Sequence, residues 1–222
     1  MSALALLLTV ALAVSLTGCG GSSGNGIASK TPTEILAASK AAADSATSVH
    51  VAGKSSQGPL SLTLNLDLAS NGGRGQISGL GLAYEVIRVG DTLYAKGNHA
   101  FYTRLSATTG LHLPQGVWLK APASGGKLAQ LASFTNLSRE LGRLLSSTGP
   151  VTKGATTTVN GQKAIELKES AKLFSGSLFI ATTGKPYPVE LLKRGRESGQ
   201  TTFSGWNAPV SLTAPANAIA IQ

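Results

Sequence analysis

Leucine alternates with a polar residue over positions 60–68, in the order Leu-Ser-Leu-Thr-Leu-Asn-Leu-Asp-Leu. A repeat of two residues is that of a β-strand, because successive side chains of a strand point to opposite faces of the sheet. One face of this strand is therefore leucine only, whereas the other face is polar. Such a face must either pack tightly against another layer or border an apolar space, so the segment predicts a sheet that is covered on one side.

More strands are predicted from the same kind of pattern. The chain has 222 residues, of which 42% are hydrophobic and 27 are glycine, a composition that allows a sizeable core and favours short strands with tight turns. Gly90-Asp91 and Asn160-Gly161 are typical of tight hairpins between neighbouring antiparallel strands. The predicted strands cover 74–78, 82–89, 92–96, 100–105 and 116–120, then 152–159, 164–168, 173–181, 187–193 and 201–206.

Helices are predicted before and between the two series of strands. The motif Thr31-Pro32-Thr33-Glu34 has a capping threonine, a proline in the first helical position and a glutamate three residues after the cap, and it predicts a helix to about residue 47. Apolar residues recur at three- and four-residue steps over 127–146, which indicates an amphipathic helix or two helices broken near 133–136. The order helix, strands, helix, strands suits an α+β domain whose large antiparallel sheet covers helices on one face.

The only cysteine, Cys19, follows an uncharged apolar run over 4–16. The run is short for a membrane span and has the length of a signal-peptide core. The residues Leu16, Thr17, Gly18 and Cys19 resemble the lipobox of bacterial lipoproteins, whose cysteine thiol is acylated after the signal is removed. The prediction is therefore a signal peptide over 1–18, a lipidated Cys19 with a flexible Gly/Ser tether over 19–30, and a single domain over 31–222.

Five segments follow in order along the mature chain: VGDTLYAKG at 89–97, GVWLKAPA at 116–123, TTVNGQKAIELKES at 157–170, GSLFIATTGKPYPVELLKRG at 176–195 and FSGWNAPVSLTAPANA at 203–218. With the lipobox, the tether and the capped helix before them, they resemble the LppX/LprG type of actinobacterial cell-envelope lipoprotein. The resemblance implies a LolA/LolB-like fold, in which a strongly curved antiparallel sheet, a half-barrel, wraps helices on its concave face around an apolar cavity. It also implies a protein anchored to the outer face of the plasma membrane that binds acylated lipids or glycolipids and carries them across the envelope.

An apolar cavity under a leucine-rich sheet would favour hydrocarbon over water, and burial of each CH₂ group stabilises a bound chain by about 0.8 kcal/mol. Alternation identifies the inward face but not whether the interior is hollow. The alternative is therefore a structural or partner-binding envelope lipoprotein with a filled core, such as a sensor or an accessory of a membrane transporter. The candidate lining residues are Leu62, Leu64, Leu66, Tyr84, Val86, Leu93, Phe101, Leu137, Leu141, Ile165, Leu167, Leu178 and Ile180.

Charged and catalytic residue types add little to this prediction. Lysine and arginine exceed acidic residues by nine, and a basic cluster at Lys193, Arg194 and Arg196 is equally compatible with a solvated turn and with contact to anionic lipid head groups. A nucleic-acid partner is not predicted, since no recognition motif is present and the lipobox places the chain outside the cytoplasm. Glu166 and Glu169 are expected to be exposed. No catalytic site, metal site or cofactor is predicted, because His50, His99 and His112 lack ligand spacing.

Overall fold

The computed structural model describes residues 24–146, 149–171 and 174–221. In these residues the helices are α1 (Pro32–Asp44), α2 (His99–Thr109), α3 (Ala129–Ala132) and α4 (Leu137–Leu144), with 3₁₀ turns at Ile27–Ser29 and Ser133–Thr135. The strands are β1 (Ser48–Gln57), β2 (Leu60–Ala69), β3 (Gly72–Gly79), β4 (Leu82–Val89), β5 (Thr92–Gly97), β6 (Leu119–Pro122), β7 (Val151–Val159), β8 (Gln162–Ala171), β9 (Phe174–Ala181), β10 (Pro188–Gly195), β11 (Glu197–Ser204) and β12 (Ile219–Ala220).

The described strands form a single open sheet in the order β12-β6-β5-β4-β3-β2-β1-β11-β10-β9-β8-β7. Strands β1 to β6 are consecutive antiparallel neighbours, and so are β7 to β11. The two meanders join where β1 pairs with β11, and the short β12 adds to β6 in parallel. The predicted α+β class with a curved antiparallel sheet around helices is confirmed, and the one parallel pair among these strands lies at the edge.

The two predicted hairpins are present. Asn160 and Gly161 both have positive φ, at 49° and 78°, and they connect β7 to β8. Gly90 has a φ of 59° and, with Asp91, connects β4 to β5. Asparagine and glycine tolerate this left-handed conformation at little cost, which is why such pairs identify hairpins in sequence.

The inner face of the sheet carries the leucines of β2. Leu64, Leu66 and Leu68 are buried at 6%, 0% and 0% exposure, and they belong to a core that also includes residues from the helices and from both meanders. The polar residues between them lie on the outer face, where Asp67 contacts His50 and Arg74. The sheet is therefore covered on one side, as the alternation over 60–68 predicts.

Helix α1 begins with the predicted capping box. The Thr31 backbone N–H and hydroxyl donate to the Glu34 carboxylate at 2.9 and 2.7 Å, and the Glu34 N–H donates back to the Thr31 hydroxyl. These hydrogen bonds hold the pKa of Glu34 below its ordinary value, and the nearby charge of Lys30 acts in the same direction. The helix ends at Asp44 and fixes Ile35 in the core.

Replacing Thr31 with alanine is expected to lower the free energy of unfolding by about 1 kcal/mol, because the first turn of α1 loses its side-chain cap. Chemical denaturation at neutral pH measures this, with Thr33→Ala as the control that removes a threonine two residues later. Because the pKa of Glu34 is lowered in the folded state, its carboxylate stabilises the fold at neutral pH. This stabilisation is lost as the pH falls through the folded-state pKa of Glu34. The difference in the free energy of unfolding between Thr31→Ala and the native protein should therefore decrease in acid. A difference that does not change with pH would contradict this account.

The strand predicted over 100–105 is wrong, because this segment lies inside helix α2. The Asn98 side chain accepts a hydrogen bond from the Phe101 N–H at 3.0 Å and caps the helix, and Gly110 ends it with a φ of 71°. Gly97 makes room for the turn into the helix, since a Cβ there would stand 2.5 Å from the Phe101 ring. Phe101 therefore reaches the core from a helix, where its ring stacks on Tyr84 at a centroid distance of 5.5 Å.

Several other segments differ from the sequence-based boundaries; strand β8, for example, ends at Ala171, three residues later than predicted. Strand β6 begins at Leu119, three residues later than predicted, and β11 begins at Glu197, four residues earlier. The helical segment predicted over 127–146 is confirmed, with its break at the 3₁₀ turn Ser133–Thr135. There, the Thr135 carbonyl accepts two hydrogen bonds from the Arg88 guanidinium of β4, so the break fits a contact with the sheet.

The described part of the predicted tether is not free. The Asn25 N–H donates to the Thr182 carbonyl at 2.8 Å, and its amide donates to the carbonyls of Ala181 and Gly184. Ile27 is buried at 3% exposure. Residues 25–30 thus pack against the end of the sheet near the β9–β10 connection. The hydrogen bonds of Asn25 and the burial of the Ile27 side chain hold them there.

Candidate functional site

A cavity of about 360 Å³ lies on the concave face, at the end of the sheet where the β1–β2 and β3–β4 hairpins turn. It opens at the surface, since Leu60 and Leu80 on its rim are 47% and 59% exposed. We refer to it as the mouth cavity. Its apolar lining consists of Leu60, Leu62, Ile77, Leu80, Leu82 and Tyr84, and its polar lining includes Ser55, Gln57, Arg143 and Glu197.

Another cavity, of about 240 Å³, lies deeper along the concave face between helices α1 and α4 and strands β7 to β10. We refer to it as the inner cavity. A constriction of about 30 Å³ shares Leu62, Arg143 and Glu197 with the mouth cavity, and Leu144, Leu191 and Glu197 with the inner cavity. The apolar lining of the inner cavity is Leu36, Leu144, Leu145, Val151, Leu167, Leu178 and Leu191.

The lining of this constriction includes four charged residues, Lys54, Arg143, Lys193 and Glu197, and Arg143 is paired with Glu140 of the same helix. The Arg143 guanidinium donates to both oxygens of Glu140, at 3.1 and 2.5 Å, although the Glu140 side chain is only 3% exposed. Lys193 contacts both oxygens of Glu197 at 3.3 Å. The hydrogen bond with Glu140 raises the pKa of Arg143, and the charges of Glu140 and Glu197 act in the same direction. Two ion pairs, Arg143 with Glu140 and Lys193 with Glu197, therefore add polarity at the constriction.

The mouth cavity is also lined by a half-buried phenol. The Tyr84 ring is shared between this cavity and the aromatic stack with Phe101, and burial raises the pKa of its hydroxyl. The Tyr84 hydroxyl therefore stays neutral at physiological pH, which suits a lining that contacts uncharged groups.

The thirteen sequence-predicted lining residues all lie in or against one hydrophobic core. Leu62, Leu64, Tyr84, Leu167 and Leu178 border the two concave cavities or the constriction. Val86 borders a trough on the other side of the sheet. The remaining seven are buried in the core and are not among the residues that line these cavities: Leu66, Leu93, Phe101, Leu137, Leu141, Ile165 and Ile180.

A trough of about 590 Å³ lies on the outer face of the sheet. One cross-strand row of its lining consists of Asn65, Gln76, Glu85 and Lys96. This row is offset by one residue from the inward-facing row that includes Leu64, so its side chains point to the outer face. Polar side chains that point to solvent are the normal composition of an exposed sheet face. The candidate site is therefore on the concave face and not in this trough.

The predicted basic cluster is divided by the sheet. Lys193 turns inward to the constriction, whereas Arg194 and Arg196 are exposed. The expected exposure of Glu166 and Glu169 is wrong, since both are partly buried. Glu166 accepts a hydrogen bond from the Ser177 hydroxyl at 2.6 Å, while Glu169, three residues on, lines the inner cavity. A separation of three residues in a strand places the two carboxylates on opposite faces.

Residues with metal-ligating side chains do not gather in this part of the chain: the described residues contain no group of three or more histidines, cysteines, aspartates or glutamates able to hold a metal ion. His50 contacts Asp67 at 2.8 Å, and His99 contacts Gln115 at 2.9 Å. Across 24–146, 149–171 and 174–221, no helix has the length and apolar character needed to cross a membrane. Cys19 and the lipobox residues Leu16, Thr17 and Gly18 lie outside the described residues.

The sequence-based set omits Leu36, Leu144, Leu191 and the charged group of the constriction. Leu144 recurs at helical spacing after Leu137 and Leu141, so it could have been placed on the same face of the helix. Glu140 and Arg143 are separated by three residues, which is the spacing of a helical ion pair. Nothing local distinguishes Leu191 from its neighbour Leu192, because the bulge between Pro188 and Glu190 shifts the register of β10.

The fold was compared with those of solved structures. LprF from Mycobacterium bovis matches with a TM-score of 0.60 and 15% identity, over 84% of this chain and 97% of that one. The Mycobacterium tuberculosis lipoprotein LppX matches with a TM-score of 0.49 and 18% identity, over 82% of this chain and 99% of that one. No family model matches the sequence, and no curated protein matches it either. The resemblance predicted from sequence is thus confirmed at the level of the fold: this chain shares the architecture of mycobacterial LprF, an open curved sheet around helices.

Proposed function

We propose that this chain is a lipoprotein that binds acylated lipids or glycolipids and carries them across the cell envelope. The observation that carries the proposal is the pair of largely apolar cavities on the concave face, together with the small constriction that shares lining residues with both of them. Apolar cavities bind hydrocarbon in preference to water. Each buried CH₂ group contributes about 0.8 kcal/mol, so even a partly enclosed acyl chain would be held firmly.

The fold shared with LprF supports this proposal, because an open curved sheet around helices leaves a concave face, and the apolar cavities of this chain lie on that face. The polar constriction supports a ligand that is not hydrocarbon throughout. Ester or glycosyl oxygens can accept hydrogen bonds from Arg143 or Lys193, while acyl chains occupy apolar space on either side. Binding without catalysis is part of the proposal, since shielding a lipid from water needs no reacting group.

The proposed anchor is an acylated Cys19, after removal of a signal peptide over 1–18. Because Asn25 is already fixed near Thr182 and Gly184, the tether would be residues 19–24 only. This point of attachment is at the opposite end of the sheet from the β1–β2 hairpin, since Gln57 pairs with Glu197 at the far end of β11. A carrier anchored to the outer face of the plasma membrane would thus hold its mouth away from the anchor, a geometry suited to passing cargo onward or to meeting a membrane transporter.

Native mass spectrometry tests the proposal on the Cys19→Ser chain purified from an actinobacterial host. We expect a species heavier than the protein by the mass of one lipid, which organic extraction removes. The same protein, once delipidated, should take up an acylated lipid from vesicles and transfer it to acceptor vesicles. Protein that carries no lipid and neither binds nor transfers one would refute the proposal and favour the structural or partner-binding alternative.

A further inference from the structure

Two leucines are exposed beside each other on the rim of the mouth cavity. Leu60 follows the β1–β2 turn and Leu80 lies in the β3–β4 turn, and both line the cavity. Their exposed fractions are 47% and 59%, the two largest among the exposed large hydrophobic residues of the described chain. We call this pair the lip. Apolar side chains gathered at the opening of an apolar cavity are typical of a surface that contacts another apolar phase.

The backbone at Leu80 strengthens this interpretation. Leu80 has a φ of 54° and Gly81 a φ of 76°, nearly the angles of Asn160 and Gly161 in the other tight hairpin. Asparagine suits this left-handed conformation, whereas leucine is disfavoured there because its Cβ approaches the following carbonyl. Leu80 is also not part of the hydrophobic core. Neither the turn nor the packing explains a leucine here, so a role at the surface is the remaining reason for it.

Two exposed arginines lie at the same end of the sheet as the lip, because Gln57 pairs with both Leu60 and Glu197. Glu197 lines the mouth cavity, and the adjacent Arg196 and the nearby Arg194 are both exposed. Neither arginine has an ion-pair partner within the part of the chain that the structure describes. Glu197 itself is engaged by Lys193. Exposed leucines beside unpaired arginines match a membrane interface that contains anionic lipid, where the leucines enter the acyl region and the arginines remain at the head groups.

We propose that the lip inserts into the surface of a bilayer containing anionic lipid and seats the mouth cavity on it. An acyl chain could then pass between bilayer and cavity without crossing water. This inference rests on the proposed function for its purpose, but the docking surface itself does not require a bound lipid. The partner is the lipid surface and not a protein, because the lip offers two aliphatic side chains and no defined polar pattern for a protein to recognise.

Co-sedimentation with vesicles tests the lip, using the Cys19→Ser chain and vesicles of equal parts phosphatidylcholine and phosphatidylglycerol. The double variant Leu60→Asn, Leu80→Asn is expected to bind these vesicles at least ten-fold more weakly. Leu80→Asn alone should weaken binding several-fold while the melting temperature stays the same or rises, because asparagine suits the turn. Loss of binding in that variant therefore cannot be attributed to unfolding.

Ile219→Asn is the matched control, since Ile219 is 41% exposed in β12 at the edge of the sheet and lies away from the lip. It should bind vesicles as the native chain does. Binding that is unchanged in the double variant, or equal on pure phosphatidylcholine vesicles, would overturn the inference. The two proposals fail separately: a chain that binds vesicles through the lip but never holds a lipid refutes only the proposed function, and one that holds lipid but ignores the lip substitutions refutes only this inference.

Discussion

Replacing Ser55 with tryptophan is expected to weaken lipid binding a hundred-fold or more while leaving the fold intact. Ser55 faces inward from β1, opposite Leu62, and borders both the mouth cavity and the constriction. An indole at this position would fill the constriction, which shares lining residues with both the mouth cavity and the inner cavity. Excluding about four methylene groups of an acyl chain would remove roughly 3 kcal/mol of binding free energy, which corresponds to a factor above one hundred.

Titration of the delipidated Cys19→Ser chain with a fluorescent fatty acyl lipid measures this effect. Ser55→Ala, which opens the space slightly, should bind at least as tightly as the native chain. Ser198→Trp places the same ring on the outer face of neighbouring β11 and should leave affinity unchanged, since Ser198 pairs with Ser56 and points away from the cavities. If Ser55→Trp binds lipid normally and has a native melting temperature, the lipid does not occupy the constriction and the proposed binding site is refuted.

Replacing Arg143 with methionine is expected to lower the free energy of unfolding by about 2 kcal/mol. The change leaves the Glu140 carboxylate, which is only 3% exposed, without its two guanidinium hydrogen bonds. Breaking a fully buried ion pair costs about 3–5 kcal/mol, and the figure here is smaller because about half of the Arg143 side chain is in contact with water. Denaturation with urea at neutral pH gives the change directly.

The matched variants separate charge from packing. Arg139→Met alters the preceding turn of the same helix, where the side chain is exposed, and should change stability by no more than about 0.5 kcal/mol. The double variant Glu140→Gln, Arg143→Met removes the unpaired charge and should recover more than half of the loss. If the double variant is as unstable as Arg143→Met alone, the stabilising role belongs to the arginine stem in the constriction and not to the ion pair.

Local sequence determined most of the strands and turns. The alternation over 60–68 identifies β2 and its buried face because side-chain period and burial are linked residue by residue. Asn160-Gly161 identifies a hairpin because few other pairs adopt two positive φ angles easily. The cap of α1 follows from Thr31 and Glu34 alone, since all its hydrogen bonds lie within four residues.

The prediction of a strand over 100–105 failed because it depended on too short a segment. Six residues with mixed polarity fit a strand and a helix almost equally, and Asn98 and Gly110, which decide the matter, lie outside that window. Composition alone assigns residues 25–30 to a flexible Gly/Ser tether, because it carries no information about contacts with distant parts of the chain. Only the folded sheet offers Asn25 its three carbonyl acceptors and Ile27 its buried site.

The sequence by itself determined which side chains face inward, but the tertiary structure decided which of them border empty space. Leu62 and Leu66 belong to the same leucine row of β2, yet Leu62 lines the mouth cavity and Leu66 is wholly buried in the core. Inward direction depends on the two-residue repeat of one strand. A cavity depends on the distance between that strand and a helix far away in the chain, and on where α4 places Arg143, so no local pattern contains it.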